Sequence, residues 1–365
     1  MSATTLTTDL PDTGTVSAPK ERVEVSCASP YIVGPAYDWC LFLLPPVVSL
    51  LIGIGISDTW LTRSEFEFHG FEVTAASLFI GIVIHAHIFA VLFRSHGNAS
   101  IFRTHRVRFV WVPILLFGAM VLSSWTLVAC SVLATFWDVY HSGLQTFGFG
   151  RLYDKKSENP PTSGRFLDLC LNSLLYAGPI VGGATMMDHF EDFNEFESVG
   201  ATFFTHIPVF MDTYHSIFAE AVIGVGTLFL AYYLYAYRQL SQKGYRVSWP
   251  KTWLYASTGL TSIYTWGFNS FGEAFFIMNL FHAVQYFGLV WWSEKGNLTQ
   301  RFGVANRRYA VPVTLAIFLG LAAAYGYFVE WIDGDITPLL AITLTISLMH
   351  FWYDGFIWSV RKNQV

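Results

Sequence analysis

From residue 38 onward the chain is a succession of apolar stretches, each about as long as a bilayer is thick. A spanning helix takes about 20 mostly apolar residues. Stretches of that kind run over roughly 38–56, 73–93, 109–128, 131–150, 166–187, 216–237, 252–269, 272–292, 309–329 and 337–358. Two junctions, at Ala129–Cys130 and Ser270–Phe271, leave no room for a loop, so each adjoining pair reads as a tight helical hairpin. The expected fold is an all-α polytopic transmembrane bundle of about ten helices. It forms one membrane domain over residues 31–360, with no internal repeat and no soluble domain. Residues 1–30 are rich in Ser, Thr and Pro without an apolar run and read as a disordered N-terminal tail, with no cleavable signal. Residues 361–365 read as a short tail.

Composition agrees with lipid as the solvent. Charged residues make up 13% of the chain, against roughly 25% in soluble domains. The net charge of -5 gives no reason to expect a nucleic-acid partner. Cys27, Cys40, Cys130 and Cys170 form no CxxC pair, which argues against a disulfide framework or a zinc knuckle.

The basic residues orient the bundle. Numbering the connections alternately as two sides puts 20 of the 21 Lys and Arg on one side, and only Arg63 on the other. Basic loops stay cytoplasmic, so both termini are expected in the cytoplasm. The opposite side is acidic, and its longest connection, 188–215, reads as a solvated loop or a short helix lying on the membrane.

Eleven histidines occur, and five fall inside the expected spans: His85, His87, His141, His282 and His350. His85 lies 9 residues before Arg94, His141 10 before Arg151, His282 13 before Lys295 and His350 11 before Arg361. That spread of 4 residues is about 6 Å of helix. Four separate helices therefore carry imidazole at nearly one depth, in the cytoplasmic half of the bilayer. His85 and His87 point nearly opposite ways on a regular helix, so one is expected at the common site and the other in a supporting or packing role.

Polar partners share these faces. His141 and Gln145 are four apart, as are His350 and Asp354, while Asn279, His282 and Gln285 form an i, i+3, i+6 stripe. Asp138 precedes His141 by three. A single intramembrane histidine is more often an interhelical hydrogen-bond partner than a ligand. Five at one depth with a carboxylate beside them point instead to a metal site, because neutral imidazole is the commonest transition-metal ligand and carboxylate completes many iron sites. The expected metal ligands are His85 or His87, His141, His282, His350 and Asp354, with Gln145, Asn279 and Gln285 accepting hydrogen bonds from the free imidazole N–H groups. Asp354 and Asp138 are the candidate catalytic carboxylates. His96 lies in a basic segment two residues past Arg94 and is a further candidate ligand if it folds back.

This layout resembles the histidine-rich integral membrane iron oxygenases, namely the desaturases, hydroxylases and alkane monooxygenases. Their HxxxH and HxxHH boxes do not occur here. It is also similar to the membrane carotene-cleaving dioxygenases, whose iron is held by histidines from several helices. The fragments WDVYHSGLQTFGFGRLY and HFWYDGFIW resemble uncharacterised bacterial membrane proteins, a resemblance that implies a bacterial inner (plasma) membrane.

Three functions follow as expectations. The first is a metal-dependent oxidoreductase holding non-haem iron, mono- or dinuclear, that acts on a hydrophobic, lipid-like substrate. No flavin, NAD or iron–sulfur signature is present, so its reducing equivalents would come from a separate electron donor. The second is a zinc-dependent intramembrane hydrolase with Asp354 or Asp138 as base. The third is a haem protein or a transporter. Pro45–Pro46, Pro113 and Pro179 break helices but form no matched pair, as a transporter with repeated halves would require.

Overall fold

The computed structural model describes residues 29–332 and 336–358. Most of the proposed N-terminal tail and all of the C-terminal tail lie outside the described residues.

Ten long helices make up the described fold: α1 (Pro45–Ile56), α2 (Ala75–Ser95), α3 (Ala99–Leu122), α4 (Ser124–Lys156), α5 (Arg165–Val181), α6 (His215–Gln242), α7 (Trp249–Phe268), α8 (Phe271–Arg301), α9 (Ala310–Trp331) and α10 (Thr337–Ile357). A helical turn at Pro35–Asp38 and a π-helical turn at Trp39–Leu43 lead into α1. One antiparallel hairpin, β1 (Glu65–Phe68) and β2 (Phe71–Thr74), precedes α2.

Local chemistry sets the helix starts. Thr74 and Ser77 form a reciprocal capping box at α2. Asn98 accepts from the Ser100 and Ile101 amides at α3, Ser123 from Thr126 at α4, and Ser270 from Glu273 at α8. These caps correct two expectations. The α3–α4 hairpin turns at Ser123 and not at Ala129–Cys130. The segment expected as a loop before the third span is helical from Ala99, with a break at His105. The junction at Ser270 falls where the sequence placed it.

Six helices (α2, α3, α6, α8, α9 and α10) are long and apolar enough to cross a membrane. The count reaches eight if two bent pairs each form one span: Pro35–Leu43 with α1, bent by 48°, and α5 with Met186–Val199, bent by 100°. Helices α4 and α7 have the length but not the hydropathy, because their polar residues are turned inward: His141, Ser142 and Thr146 on α4, Ser257, Thr258, Thr261, Ser262 and Thr265 on α7. The chain is thus a multi-pass helical membrane protein with six to eight candidate spans, fewer than the ten apolar stretches suggested.

Helix α8 is central, with 72% of its apolar stretch buried, and α6 is peripheral, with 6%. Helix α8 packs on α1, α2, α7 and α9, while α10 packs on α2, α3 and α4. Gly326 lets α9 lie close against α2, where a β-carbon would collide with the Ile82 carbonyl. The connection 186–213 is a run of short helices, Met186–Phe190, Glu191–Val199, Thr202–Thr205 and His206–Thr213. Phe190, Phe193, Phe196 and Phe204 stack along it.

The buried basic side chains Arg94, Arg151 and Lys251 are paired. Arg151 and Lys251 both bind Asp154 and Asp168 at 2.6–2.8 Å, tying together α4, α5 and α7. Tyr233 donates to Asp168 and Tyr245 to Asp154. Burial first, and the Asp154 hydrogen bond second, raise the Tyr245 phenol, which keeps it protonated as a donor. This network explains why α4 runs on to Lys156: Arg151 and Asp154, which read as solvated loop charges, are instead sealed between helices.

Candidate metal centre

Each of four helices contributes one buried imidazole: His87 from α2, His141 from α4, His282 from α8 and His350 from α10, at 0%, 3%, 1% and 0% exposure. Their rings close a square. Centre-to-centre distances are 4.9 Å for His87–His282, 5.2 Å for His282–His141, 4.7 Å for His141–His350 and 5.0 Å for His350–His87. An ion bound at about 2.0–2.1 Å to each ring nitrogen sits about 3.2 Å from each ring centre. That puts neighbouring rings about 4.5–5.2 Å apart, from square-planar to tetrahedral arrangements. The observed square falls in that interval.

Asp354, one helical turn past His350, completes the group. Two sets of ligand atoms lie within 4.8 Å of one another, His87–His282–His350 and His141–His350–Asp354, with His350 common to both. In the second set the Nε2 atoms of His141 and His350 are 3.1 Å apart, and Asp354 Oδ2 lies 3.8 and 3.9 Å from them. The point equidistant from these three atoms is about 2.1 Å from each, the bond length of a divalent transition ion to nitrogen or oxygen.

Hydrogen bonding leaves the rings short of partners. Among the described residues, neither nitrogen of His87, neither nitrogen of His282, nor Nδ1 of His350 has a hydrogen-bond partner. The backbone at Ile84 lies beside the His87 ring and that at Ile88 beside the His350 ring. Each buried polar group left without a hydrogen-bond partner costs about 1–3 kcal/mol. Native interiors rarely tolerate this unless an ion or water meets the group. A cation accepting the lone pairs would satisfy one nitrogen on each ring.

Asp354 is held from behind. Its Oδ1 accepts from the Tyr286 hydroxyl at 2.9 Å and from Trp358 Nε1 at 2.8 Å, which leaves Oδ2 for the histidines. Tyr286 also packs edge-on against His350, with ring centres 4.7 Å apart. Beneath lies a fully buried ion pair, Arg94 of α2 with Glu294 of α8, at 2.6 Å. The Arg94 guanidinium lies 3.9 Å over the Trp358 ring and donates to the Ile357 carbonyl. Asn98 and Asn297 donate to Glu294.

The other residues singled out from the sequence lie elsewhere. His85 faces away from the square, and its Nδ1 is 3.0 Å from both Glu330 Oε1 and the Gly81 carbonyl, against α9. His96 caps α2, packs on Phe102 and Phe109, and has Nδ1 2.9 Å from Ser95 Oγ. Burial lowers the His96 imidazole below its ordinary range, so it is neutral. Asp138 is half-buried near Tyr176 and outside the converging group. Gln145 donates to the His282 carbonyl at 3.1 Å and to Gln285 at 3.3 Å, Gln285 to the Phe42 carbonyl at 2.8 Å, and Asn279 to the Phe275 carbonyl at 3.0 Å. These amides brace the backbone and do not accept from imidazole.

Sequence reasoning missed Tyr286, Trp358, Arg94 and Glu294 as parts of the site. Two had a signal, since Tyr286 is four residues after His282 and Trp358 four after Asp354, each on the ligand's own face. Fold and site together define a multi-pass helical membrane protein with a buried cluster of four histidines and one carboxylate. No protein family, no curated protein and no solved structure matches the chain.

Proposed function

We propose that this chain is a membrane-embedded, metal-dependent oxidoreductase whose ion is held by His87, His141, His282, His350 and Asp354. The observation that carries the reading is the closed ring of buried imidazoles in which, among the described residues, five nitrogens on His87, His282 and His350 have no hydrogen-bond partner. Four neutral nitrogens and one carboxylate, in two groups of three that share His350, suit non-haem iron, because mixed histidine and carboxylate ligation is characteristic of iron centres. Reducing equivalents come from a separate donor protein.

The substrate is hydrophobic and reaches the site from the bilayer. The bundle holds an apolar cavity of about 170 Å³ between α4 and α5, walled by Phe136, Tyr176 and Ile180, which none of the five ligands lines. The charge asymmetry of the connections supports both termini lying in the cytoplasm, and the resemblance of two fragments supports a bacterial plasma membrane.

Metal analysis of the purified protein beside His141→Ala, His282→Ala and His350→Ala tests the reading. About one iron per chain in the wild type, lost in all three variants, is expected. Full metal content in all three removes the site assignment. One zinc and no iron replaces the oxidoreductase with a hydrolase, since zinc is redox-inert and acts by activating water.

A further inference from the structure

The three helices that supply His87, His282 and His350 are knotted together at one end by a single set of contacts. Arg94 lies seven residues after His87 on α2, and Glu294 twelve after His282 on α8. Arg94 joins Glu294 at 2.6 Å and reaches the last carbonyl of α10, at Ile357, through Nε at 3.3 Å and Nη2 at 3.0 Å. Its guanidinium also covers the ring of Trp358, the residue that donates to Asp354. Seven residues are about 10 Å of helix, so the knot lies about two turns from the imidazole square.

We propose that Trp358 and the Arg94–Glu294 pair are positioning residues for the metal centre, acting with Tyr286 to present Asp354 to the ion through Oδ2 alone. This rests on reading the histidine cluster as a metal site. Two donors on Oδ1 occupy the lone pairs that face away from the histidines and stop the carboxylate from rotating into a two-oxygen grip. The ion then keeps a coordination position open that a bidentate Asp354 would fill. The Arg94 guanidinium holds the Trp358 ring from its other face, so the aim of the indole N–H depends on the register of α2 against α10. Glu294 balances the guanidinium charge, and its own second oxygen is taken by Asn98 and Asn297.

Cobalt(II), with visible bands that report coordination number, is the probe on the full-length protein in detergent or nanodiscs. Trp358→Phe keeps an aromatic ring beside Arg94 and removes the indole N–H together with part of the ring. It is expected to weaken cobalt binding about 10–100-fold, the usual effect of losing a group that orients a ligand, and to shift the visible spectrum toward higher coordination. Tyr286→Phe acts in the same direction, and the double variant goes further than either. Glu294→Gln gives the same spectral shift. Wild-type affinity and spectrum in Trp358→Phe and Tyr286→Phe overturn the proposal, as does a Glu294→Gln variant that only melts earlier. If the wild type binds no cobalt, the metal reading itself falls and the proposal with it. Tight wild-type binding with indifferent variants removes the positioning role alone.

Discussion

His85 and His87 are two residues apart on one helix, yet they face different surroundings. Substituting each by Gln separates the ligand from its neighbour. His87 is fully buried, between rings 4.9 and 5.0 Å away, with no hydrogen bond on either nitrogen. Binding free energies of about 10–16 kcal/mol for structural zinc, shared over five ligands, assign about 2–3 kcal/mol to each. Losing His87 should therefore weaken metal binding about 30- to 200-fold. His85 faces Glu330, with side chains 24% and 22% exposed, so the pair is worth about 1 kcal/mol or less and touches no ligand. The assay is retained metal after dialysis against a graded series of chelator concentrations. His87→Gln should lose its metal at a far lower chelator concentration than the wild type, and His85→Gln should overlay the wild type. Equal loss in both variants, or loss in His85→Gln alone, refutes the assignment of the inward-facing ring.

Further outcomes follow from the same geometry. His282→Leu removes two buried nitrogens without partners. It should raise the stability of the metal-free protein by about 1–3 kcal/mol while abolishing metal-induced stabilisation, as read from thermal melts with and without chelator. Arg94→Met and Glu294→Leu should each destabilise by about 3–5 kcal/mol by stranding the partner charge. The double variant should cost far less, because packed apolar groups replace such a pair nearly neutrally, and a double-mutant cycle of melting temperatures checks this. His96 has a depressed folded-state pKa from burial, so its protonation favours the open form. The contribution is fully present above about pH 6.5 and is lost as pH falls below that value through the folded pKa. The protection factors of amides at the α2–α3 junction should fall across that range, and His96→Phe should flatten the dependence.

Counting residues from each histidine to the basic residue after it predicts four imidazoles at one level, because helix rise is fixed, and in the structure the rings of His87, His141, His282 and His350 meet. The i, i+4 rule added Asp354 for the same reason. The choice between His85 and His87 was not legible: it depends on which side of α2 meets α9, a packing outcome with no local signature. Buried charge misled the reading of helix ends. Arg151, Asp154 and Glu294 look like solvated loop residues in sequence, yet each is sealed by a partner on another helix: Asp168, Lys251 and Arg94. Hydropathy cannot distinguish a charge facing water from one facing its counter-ion. The same ambiguity runs the other way for α7, whose inward Ser and Thr lower its apolar score although the helix is largely buried.

The most direct test of the account is X-ray absorption at the metal edge of the purified, full-length protein, with its metal content measured on the same sample. One ion per chain, with about four imidazole nitrogens and one oxygen at about 2.0–2.2 Å, is the predicted result. An ion with sulfur ligands, or with the same nitrogen shell after His282→Ala and His350→Ala, would contradict it, as would a protein that binds no transition metal at all.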